Sequence, residues 1–130
     1  MPLDRQAAFS ASPYEARIGF ARAVRAGQLI FVSGCGPVAP DGGLAGGNDP
    51  AAQARRCVQI IAEALAKLDA DLYHVVRTRM YLTRIADWPA VSAAHAEVFG
   101  AIRPAATLVA VQALANSDWL VEIEADAVVP

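Results

Sequence analysis

The sequence predicts an α+β domain, a single sheet with two helices on one of its faces. Three observations carry this. Short stretches with strand-like alternation bracket two segments of helical periodicity, each helix opens on an aspartate with a proline in its first turn, and 130 residues suffice for one core. The whole chain, 1–130, is read as one domain, with 1–16 as an arm leading to the first strand.

In order, the polar arm gives way to Ile18–Arg25, which alternates weakly before the turn Ala26-Gly27-Gln28. Leu29-Ile30-Phe31-Val32-Ser33 is rich in strand formers and closed by Gly34, which predicts a strand covered on both faces. Cys35–Asn48 holds Gly36-Pro37, Pro40, Gly42-Gly43 and Gly46-Gly47, enough breakers for a loop, with no phosphate-binding glycine motif. Asp49 then caps a helix with Pro50 at its first position; Ala54, Cys57, Val58, Ile61, Leu65 and Leu68 form the apolar stripe, and Arg55, Arg56, Gln59, Glu63 and Lys67 the polar side. Val75–Thr83 alternates as a strand, with Val76, Thr78, Met80 and Leu82 set against Arg77, Arg79 and Tyr81. Asp87 caps a second helix, Trp88–Phe99, whose stripe is Val91, Ala94, Val98 and Phe99, and Gly100 ends it. Two further strands, Arg103–Val111 and Leu120–Ala127, are joined through the polar break Ala115-Asn116-Ser117-Asp118. In the last, Glu122, Glu124 and Asp126 share one face, and Val121, Ile123, Ala125 and Ala127 the other.

Two helices cover only one face of such a sheet. Hydrophobic residues make up 55% and charged residues 18% of the chain, little charge with which to coat a monomer, so the other face is expected to meet copies of the same chain. A net charge of −2 gives no basic footprint and weighs against nucleic acid as the main partner. No stretch has the length of a membrane span or the pattern of a secretion signal, so a cytoplasmic protein with no membrane partner is expected. Cys35 and Cys57 have no second pair and no histidine at ligand spacing, which points to neither a disulfide framework nor a metal site. Cys57 reads as core. Ser33 lacks a histidine and aspartate pattern and reads as a pocket-lining hydroxyl, Cys35 reads as an accessible thiol of the glycine-rich loop, reactive only with a lowered pKa, His74 reads as an inter-element residue, and His95 as a helix-surface residue.

Leu29-Ile30-Phe31-Val32-Ser33-Gly34 with Pro37, the helix containing Gln53, Val75-Val76-Arg77-Thr78 leading into Tyr81-Leu82-Thr83, Asp87-Trp88, Phe99, Arg103-Pro104-Ala105 and Val121-Glu122-Ile123-Glu124-Ala125 together resemble the RidA (YjgF) family. The resemblance runs from about Ile18 to Val128. It implies a chorismate-mutase-like α+β domain with a mixed sheet, assembled as a homotrimer with small-molecule pockets between subunits. The best-known members hydrolyse imines and enamines, such as 2-aminoacrylate, to a keto acid and ammonia, and the reading calls for no cofactor.

That chemistry needs a cation to hold the substrate carboxylate and a water positioned by an acid or base. The family's arginine follows Pro-Ala; Ala106 stands there. The family's tyrosine falls on Phe20. What the resemblance retains is Ser33, Gly34, Trp88, Thr107 and, as the catalytic carboxylate, Glu122, with Arg103 or Arg22 as replacements for the missing cation. Glu122 has an alternative reading as an ion-pair partner of Arg77 or Arg79 in the trimer core. Three function classes follow, in this order: a hydrolase or deaminase of an imine-like metabolite, a non-catalytic metabolite-binding or regulatory trimer, and an endoribonuclease or translation inhibitor using a strip of Arg17, Arg22 and Arg25.

Overall fold

The computed structural model describes residues 3–130. Six strands form one sheet in the order β1-β2-β3-β6-β4-β5, namely β1 Gln6–Ala8, β2 Ala23–Ala26, β3 Leu29–Cys35, β4 Val75–Leu82, β5 Ala105–Ala110 and β6 Val121–Val128. Helices α1 (Pro50–Ala66) and α2 (Trp88–Phe99) pack against each other, and α1 against β3 and β6. All pairings are antiparallel except β4 with β5, so the sheet is mixed.

The last strand is the central one. β6 lies between β3 and β4, and its alternation is realised in full: Val121, Ile123, Ala125 and Ala127 are buried beneath the helices, while Glu122, Glu124 and Asp126 occupy the helix-free face. The final two strands are therefore no hairpin, because β4 separates them. The α1 reading holds closely: the Asp49 side chain accepts from the backbone N–H groups of Ala51 and Ala52, and the six stripe residues are all buried.

Other expectations are corrected. The arm contains β1, whose three residues join the sheet through backbone pairing with β2 and leave little sequence pattern. A five-residue π-type turn, Glu15–Gly19, replaces the start of the weak alternation. β3 is covered on one face only; Leu29 and Phe31 are about half exposed beside Val128 of β6. Val76 is also exposed, because a register shift against β6 between Val75 and Arg77 breaks the alternation there. The Asp87 carboxylate does not cap α2; it accepts from Arg84 Nε and Nη2 at 3.0 and 3.3 Å. Gly100 does end α2, as expected, but in a right-handed conformation; the left-handed residue after the helix is Arg103, at φ 60°.

Candidate functional site

The site begins with an irregularity. Between Val32 and Cys35, β3 carries one more residue than the facing stretch of β6, Ala125 to Ile123. This bulge turns Ser33 and Gly34 out of the ladder beside Glu122, which is what a bulge at a site does. A Cβ on Gly34 would stand 2.9 Å from the Glu122 carboxyl carbon, so the glycine allows the carboxylate to lie against the backbone.

Around this point lies a cavity of about 380 Å³, within the range of small-molecule sites. Phe20, Arg22, Ser33, Gly34 and Glu122 line it, with Tyr14, Ile18 and Trp119 as further apolar walls. Tyr14 and Trp119 meet edge to face, ring centroids 5.4 Å apart. Trp119 is fixed from below by Gln53, which is fully buried: its amide donates to the carbonyls of Gly47 and Asp118 at 2.7 and 3.0 Å and accepts from the Leu120 N–H at 2.7 Å. Gly36 leaves room for the indole, since a Cβ there would collide with its ring.

Arg22 is the cation of the cavity, and it is heavily engaged. Its Nε donates to Glu15 at 3.0 Å in a pair buried on both sides, and its Nη1 donates to the Gly34 carbonyl at 2.6 Å. The guanidinium also lies over the Phe20 ring, 5.2 Å from its centroid. Ser33 Oγ donates to the Ala21 carbonyl at 2.7 Å, which makes it a structural hydroxyl.

Glu122 differs from its neighbours on the same face. The register sets Asp126 level with Arg77, Glu124 with Arg79, and Glu122 with Tyr81. Arg79 Nη1 lies 3.2 Å from Asp126 and 3.7 Å from Glu124, and Tyr81 donates its hydroxyl to Glu124. Among the described residues of one chain, no side-chain hydrogen bond or ion pair holds Glu122. Partial burial pushes the Glu122 carboxyl above the usual glutamate range; Arg22 opposes this, and Glu124 adds to it. That perturbation, in a cleft, marks Glu122 as an acid–base candidate.

The expected site residues fall into two groups. Phe20, Ser33, Gly34 and Glu122 share the cavity. Trp88, Arg103, Ala106 and Thr107 do not: Trp88 is exposed at the start of α2, Ala106 and Thr107 are exposed on the outer strand β5, and Arg103 lines a separate groove with His95 and Phe99. Glu122 is level with Tyr81, and Tyr81 with Val109 on β5. Two strand spacings, about 9–10 Å, separate Glu122 from Val109, and Ala106 lies three residues, about 10 Å, further along. Within one chain the two groups do not meet. Trp119 and Tyr14 were not foreseen as pocket residues; they lie in loops and turns with no periodic pattern, and only their aromaticity marks them.

Two other readings are revised. Cys35 is buried at the end of β3 rather than in the loop, and burial raises its thiol to about 11, above all other influences. His95 is half-buried, hydrogen-bonded to Thr78 Oγ1 at 2.8 Å and stacked on Phe99, and burial lowers its pKa. Among the described residues no group of histidine, cysteine and acidic side chains is arranged to hold a metal ion.

Residues 10–129 match the family model described as Endoribonuclease L-PSP. The chain belongs to the RidA (YjgF/YER057c/UK114) family. Its fold matches the crystal structure of a YjgF/YER057c/UK114 member from Mycobacterium tuberculosis with a TM-score of 0.87 at 43% identity, covering 97% of this chain and all of that one. The YjgF gene product of Escherichia coli gives a TM-score of 0.82 at 30% identity over 95% of this chain and 97% of that one. In sequence, the 3-aminoacrylate deaminase RutC of Acinetobacter baylyi is 33% identical over 78% of this chain and 79% of its own. A relative from Schizosaccharomyces pombe, 29% identical over 98% of this chain and 74% of its own, is named as mitochondrial. No helix among the described residues of this RidA protein is long and apolar enough to cross a membrane.

Proposed function

We propose that this RidA protein hydrolyses an imine or enamine metabolite in a pocket completed between copies of the chain, as a homotrimer in the cytoplasm. The observation that carries the reading is Glu122, an unpaired, partly buried carboxyl beside a bulged strand in an aromatic cavity. In its acid form it protonates an enamine carbon to give the iminium. As carboxylate it takes a proton from the water that attacks the iminium carbon, and it returns that proton to the nitrogen as ammonia leaves. Substrate is held by Phe20, Gly34, Trp119 and Tyr14 from one chain and by the β5 edge, with Ala106 and Thr107, from the next; Trp88 and Arg103 approach from that same side.

Assembly is supported by the exposed Leu29, Phe31 and Val128 on the helix-free face and by the open β5 edge with exposed Val109. The deaminase named among the relatives supports the chemistry. A non-catalytic metabolite binder is the second reading, favoured by one observation: Ser33 is committed to a backbone carbonyl, leaving Glu122 without a hydroxyl partner to position water. A ribonuclease reading loses its basic strip, since Arg22 is buried against Glu15 and Arg25 donates to the Leu68 carbonyl at 2.8 Å.

The test is to generate 2-aminoacrylate or a bulkier enamine in situ and follow its decay. The protein is expected to accelerate decay, and Glu122→Ala to remove most of that acceleration. A protein that binds the ketone product but accelerates no imine is a binder.

A further inference from the structure

We infer that the substrate of this site carries no carboxylate: it is a neutral or cationic imine with an apolar substituent. This rests on the hydrolase reading above and adds the substrate class. The argument is an account of charge. Within one chain Arg22 is the one arginine lining the cavity, and it lies on Glu15; the lining also holds two carboxylates, Glu122 and Glu124. Glu122 is unpaired, so the lining that one chain supplies has surplus negative charge and no unengaged arginine, and Ala106 brings none from the β5 edge.

The donor geometry of Arg22 adds to this. A guanidinium grips a carboxylate through two parallel N–H donors. Arg22 has committed Nε to Glu15 and Nη1 to the Gly34 carbonyl, so no free pair remains to form that fork. Arg17 is exposed, lies 5.7 Å from the Tyr14 ring centroid and does not line the cavity; Arg103, on the side supplied by the next chain, is the cation the test below removes. Tyr14, Phe20 and Trp119 offer aromatic walls to an aryl or alkyl group, and an iminium nitrogen is matched by Glu122. In the reaction, a C–O bond forms from water to the imine carbon, the C–N bond breaks, and nitrogen leaves as ammonia with the proton relayed by Glu122. The product is an aldehyde or ketone in place of a keto acid.

A matched pair of substrates tests this. An amine oxidase acting on phenethylamine supplies phenylacetaldimine; an amino-acid oxidase acting on phenylalanine supplies the same imine with a carboxylate. Hydrolysis by the full-length protein is followed against a semicarbazide trap. The carboxylate-free imine is expected to be favoured by about tenfold or more in kcat/KM, the scale of one charge-assisted contact. Glu15→Gln, which releases Arg22, and Ala115→Arg, which adds a cation to the cavity wall, are each expected to narrow the ratio; Arg17→Ala leaves it unchanged. Preference of the wild type for the imino acid overturns the inference, and its loss in Arg103→Ala would identify the cation responsible. If neither imine is hydrolysed, the hydrolase reading fails separately, and calorimetry with phenethylammonium and phenylpyruvate decides the ligand class. Tighter ammonium binding supports it; tighter phenylpyruvate binding, or none by either, overturns it.

Discussion

The two ends of the helix-free face carry the same side chain in opposite circumstances. Glu124 and Glu122 are two residues apart on β6 and point the same way. At the Glu124 end, Arg79 and Tyr81 surround the carboxylate, and the phenol is itself pushed up by its hydrogen bond to Glu124. At the Glu122 end, the β3 bulge removes the facing ladder and brings the Gly34 backbone and aromatic walls instead. The paired Glu124 is held in place by its hydrogen bond and ion pair. In the unpaired, partly desolvated Glu122, burial raises the carboxyl above the usual glutamate range and favours its acid form.

The largest separation between the two ends is expected in catalysis. Glu122→Ala should lower imine kcat/KM by about 10²- to 10⁴-fold, the range for losing a positioned acid–base group, whereas Glu124→Ala should cost far less. Equal losses at both positions would mean that the face matters only as a charged surface. Parallel unfolding curves must show both variants folded.

Stability should separate the arginines next. Arg22→Met leaves Glu15 buried without its partner and should cost about 3–5 kcal/mol in denaturant unfolding. Arg79→Met, at a half-exposed pair, should cost about 0–1 kcal/mol. Pairing Arg22→Met with Glu15→Met should recover much of the first loss, because the penalty lies in the stranded charge.

A narrower change probes the bulge itself. Gly34→Ala places a methyl 2.9 Å from the Glu122 carboxyl, which the flexible end of that side chain escapes by moving. Activity should fall about ten- to hundredfold from misplacement, while the unfolding midpoint hardly changes. A large loss of stability with unaltered kcat/KM would show that the close approach serves packing alone.

What the sequence made legible follows the range of the interactions. α1 was readable in full because its cap, proline and stripe are local signals, and β6 because strict alternation fixes its faces. β1 was not, being three residues held by backbone pairing alone. The bulge that exposes Val76 and the one that turns out Gly34 are properties of two strands together, written in neither. The cavity was half legible: Phe20, Ser33, Gly34 and Glu122 came together, while Trp119 depends on Gln53 reaching across the fold. Ala106 and Thr107 sit on the outer strand β5, away from the cavity within one chain.

The smallest expected effect is a matter of sign. Burial raises the Glu122 carboxyl above its unfolded value, so folding favours the protonated form. Its stabilising contribution is complete below the ordinary glutamate pKa of about 4.3 and is lost as pH rises through the raised folded value. Glu122→Gln keeps the shape but not the titration. The variant should therefore gain stability relative to wild type as pH rises above about 4.3 and through the raised folded value, and the two should draw together on the acid side. Glu124→Gln keeps an oxygen acceptor for Tyr81 but removes the charge beside Arg79, so it is expected to cost stability. If Glu122→Gln shows no gain across that window in denaturant unfolding, Glu122 is as well solvated as a surface glutamate, and the contrast between the two ends of the strand disappears.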